Sequence, residues 1–219
     1  SFPTRRSSDL HRREGIARAM YRSFEKEMAY YPIRSVTFQT ERVFLDYHPD
    51  LASHWGLVEG EETETWLGRD RTPYALDSRS DVKVLLAEPS YLDEIAQLHH
   101  QAFSDAEETL EVSRRYITEA LEDSDSLLYI LLKEGQVIGV CTVDLSGNNN
   151  YLYGLAVAEA YRGQGYGSYL AKSVVNQLIA QNDKSFQIAV EDSNVGAKRL
   201  YEKIGFVNQT QVVYLKQKG

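Results

Sequence analysis

The chain has 219 residues, 42% of them apolar, and a formal charge of −8; this is an ordinary globular composition, with length for one sizeable domain or two small ones. Net acidity argues against nonspecific nucleic-acid binding, no apolar run approaches the roughly 20 residues of a membrane span, and no signal-peptide core is present. Cys141 is the single cysteine, so an internal disulfide is ruled out and a reducing cytoplasm is the natural compartment.

The first ten residues, SFPTRRSSDL, begin without methionine and read as the translation of a sequencing adapter. They are set aside as a tag would be, and on that reading the natural gene is cut upstream of His11. Next comes Arg12-Arg13-Glu14-Gly15-Ile16-Ala17, and then apolar residues at Ile16, Met20, Phe24 and Met28, the spacing of one helix face. This stretch recurs later. Adding 150 takes Arg12 to Arg162, Gly15 to Gly165 and Ala17 to Gly167, and residues 35–41 (SVTFQTE) to 185–191 (SFQIAVE). Trp55-Gly56-Leu57-Val58 falls on Ile204-Gly205-Phe206-Val207 at an offset of 149. Offsets held this steadily indicate an internal repeat. Residues 68–81 (GRDRTPYALDSRSD) are polar with one proline and read as a linker.

The second repeat has more elements. Residues 82–87 predict a strand, 91–103 a helix after a Pro-Ser start, and 105–123 a charged helix. Strands at 127–132 and 137–143 are joined through Glu134-Gly135, a hairpin signal. A Ser-Gly-Asn-Asn-Asn turn at 146–150 leads to a strand over 151–157. Then comes the glycine-rich Arg162-Gly163-Gln164-Gly165-Tyr166-Gly167, with a helix behind it carrying Leu170, Val174 and Leu178. Phe186, Ile188 and Val190 alternate as a strand, 194–204 is a helix, and 207–215 is the last strand. The expected class is α/β with a mixed sheet, in the order β-α-α-β-β-β-α-β-α-β. Residues 82–219 are expected to be complete and to fold alone.

Strand, glycine loop and helix in succession expose backbone N–H groups at a positive helix end, which suits a phosphate or pyrophosphate. The spacing fits neither Gly-x-x-x-x-Gly-Lys-Ser/Thr nor Gly-x-Gly-x-x-Gly. It resembles the Arg/Gln-x-x-Gly-x-Gly/Ala signature of the GNAT superfamily of acyl-CoA-dependent N-acyltransferases, through Arg162, Gly165 and Gly167. Asn194, Ala197, Leu200, Tyr201, Gly205 and Phe206 are similar to that family's second signature, Asn-x-x-Ala-x-x-Leu-Tyr-x-x-x-Gly-Phe. The resemblance implies the GNAT fold over about 135 residues of the second half. It makes residues 11–67 the back half of a truncated, degenerate GNAT repeat, with Leu51 and Ala52 where a tyrosine would project.

The same resemblance implies a cytoplasmic N-acetyltransferase that moves an acetyl group from acetyl-CoA to a primary amine by direct attack. Leu155, Ala156 and Val157 would offer backbone groups to the acyl and pantetheine portion. Gly163, Gln164, Gly165, Tyr166, Gly167 and Ser168, with Arg162, would cradle the pyrophosphate; Asn194 would bond the pantetheine arm. Tyr201 would protonate the departing sulfur. Asn194 also suits a helix N-cap, and Tyr201 core packing. Acetylases of ribosomal-protein N-termini place a glutamate in the fifth strand, where this chain has Ala189; histone-type enzymes place one in the fourth, where it has Tyr151, Leu152, Tyr153 and Gly154. Asp144, Glu191 or a water relay remain as the base. An α-amine costs about 1 kcal/mol to neutralise at pH 7, against about 4–5 for a lysine, which favours a peptide N-terminus or small amine as acceptor. A non-catalytic acyl-CoA-binding or scaffold domain is the alternative. No metal site is expected: His99 and His100 point about 100° apart on a helix, and the histidines show no ligand spacing. Neither nucleic acid nor membrane is expected as a partner; acceptor and oligomeric state stay open.

Overall fold

The computed structural model describes residues 15–31, 36–104 and 108–217. The adapter-like residues, Arg12 to Glu14 of the first glycine loop, and the start of the helix expected over 105–123 lie outside them. In chain order the elements are α1 (Ile16–Met28), β1 (Thr37–Glu41), short helices α2 (Arg42–Tyr47) and α3 (Leu51–His54), β2 (Leu57–Arg69), β3 (Val82–Leu86), α4 (Leu92–Phe103) and α5 (Leu110–Glu122). They continue with β4 (Ser126–Lys133), β5 (Gln136–Asp144), β6 (Asn149–Val157), α6 (Tyr166–Gln181), β7 (Ser185–Glu191), α7 (Val195–Lys203) and β8 (Val207–Gln217).

All eight strands form one mixed sheet in the order β1-β8-β2-β7-β6-β5-β4-β3. Side chains alternate across a strand, and here both faces are covered. Leu128, Ile130 and Leu132 of β4 pack with Ile95, Leu98 and Ile117 of α4 and α5. Their neighbours Tyr129 and Leu131 point the other way, to Leu170, Val174 and Leu178 of α6. Only β6 and β7 run parallel, and their pairing extends from Asn149↔Ser185 to Tyr151↔Gln187. Beyond Tyr151 they part. Gly154, at φ 58, sits at the register shift of β6 against β5, a bulge that bends the strand away. The parting opens a cleft at the C-terminal ends of the parallel pair, the usual ligand position in open α/β sheets.

The strand pairing differs from the expectation of a linker over 68–81 and a self-sufficient second repeat. β2 runs to Arg69 and lies between β7 and β8, antiparallel to both. β1 then pairs with the outer edge of β8. The physical cause is visible in β2 itself. Thr63, Thr65 and Leu67 alternate inward, Thr65 and Leu67 fully buried, so the strand fills a core position that residues 82–219 leave open. The segment after β2 is pinned as well. Arg71 donates to the carbonyls of Ile179 and Asn182 at 2.9 and 2.8 Å. The Tyr74 backbone exchanges two hydrogen bonds with the Asn176 side chain, at 2.8 and 2.9 Å.

Candidate functional site

The glycine loop leaves β6 through a single 3-10 turn, Glu159–Tyr161, and enters α6 at Tyr166. Arg162 ties the loop to the strand end, its Nε donating to the Val157 carbonyl at 2.9 Å. Gln164 donates back to the Ala160 carbonyl at 3.0 Å. Gly165 is the N-cap of α6 at φ 82, ψ 2, in the left-handed region that glycine enters without penalty. The first intrahelical bond runs from Tyr169 N to Gly165 O. Among the described residues, the N–H groups of Gly163 through Ser168 take no backbone acceptor. A 16-residue helix stands behind them, and its dipole adds about half a positive charge. This is a ready-made anion cradle.

A triangle of side chains holds the cradle's floor. Lys133 meets Asp81 at 2.6 Å and the Tyr166 hydroxyl at 3.0 Å, and Tyr166 reaches Asp81 at 3.2 Å. The hydrogen bond from Lys133, then that from Tyr166, hold the Asp81 carboxyl below its ordinary range against its desolvation. Arg79, a residue sequence reasoning left in a linker, donates to the Gln164 carbonyl at 3.0 Å and lies 4.6 Å over the Tyr166 ring. It brings a cation to the loop.

Gly167 joins the cradle to the rest of the site. A Cβ there would sit 3.1 Å from Leu200 of α7, 3.6 Å from Val157 and 3.8 Å from Leu155. A methyl group would crowd the Leu200 side chain by a few tenths of an ångström, so glycine gives α6 and α7 their close approach here. Leu155 and Val157 are part-buried on the α6 side, whereas Ala156 is buried in the α4–α5 core. Ser168 is half-buried in the first turn of α6.

Asn194 is the N-cap of α7, and its Oδ1 accepts from Ala197 N at 3.1 Å. The residue is exposed. Tyr201 lies seven residues on, about 10 Å along the helix. It is 4% exposed and packs edge-on to Phe206, with ring centres 5.8 Å apart. Burial first, then Cys141 and Tyr151, push its hydroxyl pKa far up, so its proton is held throughout the neutral range. The structure thus brings the loop, the end of β6 and the Tyr201 helix together through Gly167; Asn194 stands at the far end of α7.

Of the two candidate bases, Asp144 is held by its turn, accepting from Ser146 N at 2.7 Å, and lines a cleft with Asp123, Asp125, Tyr151 and Tyr153. Glu191 is exposed and accepts from Ser193 Oγ at 3.3 Å. Sequence reasoning missed their neighbour Asp192. Burial would raise its carboxyl, but hydrogen bonds from Thr63, Thr65, Gln211 and Lys198 outweigh it and hold the group well below the usual carboxylate range. The period-2 run Thr63-Glu64-Thr65-Trp66-Leu67 was the available signal. Among the described residues no cluster of His, Cys, Asp and Glu could hold a metal, and no helix is long and apolar enough to cross a membrane.

Comparison with known proteins places this arrangement. The family model described as "Acetyltransferase (GNAT) family" matches residues 92–206. A ribosomal protein bS18-alanine N-acetyltransferase of Haemophilus ducreyi is 38% identical over 55 residues, covering 25% of this chain and 38% of that protein. Its counterpart in Haemophilus influenzae is 32% identical over 76 residues, covering 35% and 51%; the chain thus matches about half the length of these relatives, or less. Among solved structures, a GCN5-related N-acetyltransferase from Sphaerobacter thermophilus superposes with a TM-score of 0.70 at 18% identity, covering 94% of this chain and 69% of that one. A tandem GNAT protein from the clavulanic acid biosynthesis pathway gives 0.69 at 15% identity, covering 95% and 72%. These two show a shared fold.

Proposed function

The chain belongs to the GNAT family of acetyltransferases, and from that premise we propose that it transfers an acetyl group from acetyl-CoA to a primary amine by direct attack. The observation that carries the reading is the preformed cradle of Gly163 to Ser168, whose N–H groups have no backbone acceptor among the described residues. It touches, through Gly167, the helix that bears Tyr201. The cradle and Arg79 hold the diphosphate, and the cleft between β6 and β7 takes the pantetheine and acyl portion. Asn194 bonds the arm, and Tyr201 supplies the proton to the departing thiolate.

The acceptor is a low-pKa amine, with a peptide N-terminus as the first choice. Such an amine is neutralised at small cost, and the curated relatives are named for acting on an alanine of a ribosomal protein. The test follows free thiol released from acetyl-CoA with an alanine-initial hexapeptide, using the same peptide N-acetylated as the blank. Acetyl-CoA affinity is measured in parallel by calorimetry. Thiol release above the blank is expected, and Tyr201→Phe should lower it about 10²- to 10⁴-fold, the range for general acid–base groups, with affinity nearly unchanged. Tight acetyl-CoA binding with no turnover for any amine would instead mark an acyl-CoA-binding or scaffold protein.

A further inference from the structure

Thr63, Thr65 and Leu67 of β2 point to Asp192 and the α6–α7 core, so Glu64 and Trp66 between them point to the opposite face. Glu64 lies directly across from Glu191 of β7 and Val212 of β8, and Trp66 across from Ala189. Ala189 contributes only a methyl group there. The Trp66 ring sits 6.0 Å from that of Tyr151, the last β6 residue before the strands part. Trp66 Nε1 is buried and has no partner among the described residues. Diagonal neighbours on a sheet face are about 7–8 Å apart, within reach of long side chains, so a glutamate at position 64 can reach over Ala189 towards Tyr151 and the cleft. Glu64 is half-buried. Its carboxylate is hydrogen-bonded to the Tyr214 hydroxyl of β8; Asp144 is engaged by its turn away from β2, and Glu191 faces solvent.

We propose that Glu64, on a strand contributed by the N-terminal third of the chain, is the group that takes the proton from the incoming acceptor ammonium. The proposal rests on the acetyltransferase reading above. In the step itself, a proton passes from the ammonium to a Glu64 carboxylate oxygen, directly or through one water. The freed nitrogen lone pair forms the N–C bond to the thioester carbonyl carbon, and the C–S bond breaks. The departing sulfur takes the Tyr201 proton, and the second proton lost by the nitrogen restores Tyr201. One proton is left on Glu64 and passes to solvent, which balances an ammonium and a thioester against an amide, a thiol and a proton. Two neighbours show that the carboxylate stands in this network. Tyr214 is raised by burial and then by its interaction with Glu64, and Tyr151 by burial and then by the Glu64 charge; Tyr151 in turn acts on Tyr201.

The test compares the full-length wild type with Glu64→Gln and Glu191→Gln, using the alanine-initial hexapeptide and acetyl-CoA between pH 6 and 9. The titratable groups facing Glu64 are Tyr214 of β8, Glu191 of β7, Tyr151 of β6 and, one strand beyond β8, Glu41 of β1; none of them is altered when Glu64→Gln is compared with wild type. Glu64→Gln is expected to lower kcat about tenfold at pH 7, where only about a tenth of an amine of pKa about 8 is already neutral, with acetyl-CoA affinity unchanged. Its rate should climb towards wild type as the pH approaches the peptide amine's own pKa of about 8, because solvent then does the deprotonation. A packing role would not produce that recovery. Wild-type turnover by Glu64→Gln, a deficit that is constant with pH, loss of acetyl-CoA binding in this variant, or a larger deficit in Glu191→Gln would each overturn the proposal. A wild type that releases no thiol above the blank overturns the acetyltransferase reading itself, and this proposal with it.

Discussion

Two stretches of this chain share a backbone and differ in almost everything around it. α1 starts after Gly15 at φ 77, ψ 7, and α6 starts after Gly165 at φ 82, ψ 2. Both first turns close with the same bond, Ala19 N to Gly15 O at 2.9 Å and Tyr169 N to Gly165 O at 3.0 Å. Both later helices end on a left-handed glycine, Gly56 at φ 66 and Gly205 at φ 88. Yet Leu170 and Val174 are fully buried, while Met20 and Phe24, 150 positions earlier, are 69% and 37% exposed. A glycine loop and its helix are local products of sequence. On the proposed reading, an anion cradle becomes a site only where strands, a second helix and a proton donor wall it in, and among the described residues the second stretch has Val157, Leu200 and Tyr201 around it.

The two stretches are also interlocked. β8 lies between β1 and β2, and β2 between β8 and β7; exchanging the stretches returns the same strand order read backwards. The largest expected effect comes from this interlocking. A chain beginning at Asp81 lacks β2, leaves β7 and β8 without their shared neighbour, and strips Asp192 of Thr63 and Thr65. It should lose both the cooperative thermal transition and the stabilisation by acetyl-CoA that are expected of the full chain. If it keeps both, β7 and β8 close directly on each other and the second stretch is self-sufficient after all.

The paired glycines give the next test. Gly165→Glu and Gly15→Glu each force a side chain into a left-handed residue, at about 1–2 kcal/mol, so the backbone penalty cancels in the comparison. Only the first puts a carboxylate beside Arg79 at the mouth of the cradle, where a Cβ on Gly165 would lie 3.5 Å from the guanidinium. Gly165→Glu should abolish calorimetric binding of acetyl-CoA with the far-UV spectrum retained, whereas Gly15→Glu should bind as wild type. Equal affinities in the two variants would take the loop out of the site.

Much of this was legible. The motif residues lie in two short runs, and each acts locally: Gly165 by its φ, Asn194 by its side-chain cap on Ala197 N, Gly167 by what its missing Cβ allows. The mixed sheet followed from the family resemblance and the order of the elements, with alternation read only at Phe186, Ile188 and Val190 of β7. The placement of β2 was not legible, because strand pairing is decided by partners far away in sequence. Glu61, Glu62 and Glu64 make the segment look solvated when read along the chain. Only the pairing with β7 and β8 shows that Thr63, Thr65 and Leu67 face inward. The same blindness hid Arg79, Glu64 and Asp192, whose partners Gln164, Tyr214, Thr65 and Gln211 lie between 19 and 150 positions away.

The smallest effect separates the stretches at another equivalent pair, Asp192 and, 150 positions earlier, Arg42. Asp192 is three-quarters buried and holds Thr63, Thr65, Gln211 and Lys198 together. Arg42 makes one ion pair with Glu59 at 2.7 Å, and both side chains are more than a third exposed or close to it, at 34% and 43%. Exposed pairs are worth about 0–1 kcal/mol, and hydrogen bonds to a charged, part-buried group about 1.5–3. Asp192→Asn should therefore lower the melting temperature by several degrees at pH 7, at roughly 2–4 °C per kcal/mol for a chain of this size, and Arg42→Gln should barely move it. The pH dependence checks the cause. The Asp192 carboxyl is depressed in the folded protein relative to an unfolded value of about 3.9. Its contribution is then complete above the unfolded pKa and is lost as pH falls through the folded one. The gap between wild type and Asp192→Asn should be widest at neutral pH and shrink below about pH 4, whereas a gap that stayed constant into acid would mean that shape, and not the charge on Asp192, holds β2 in place.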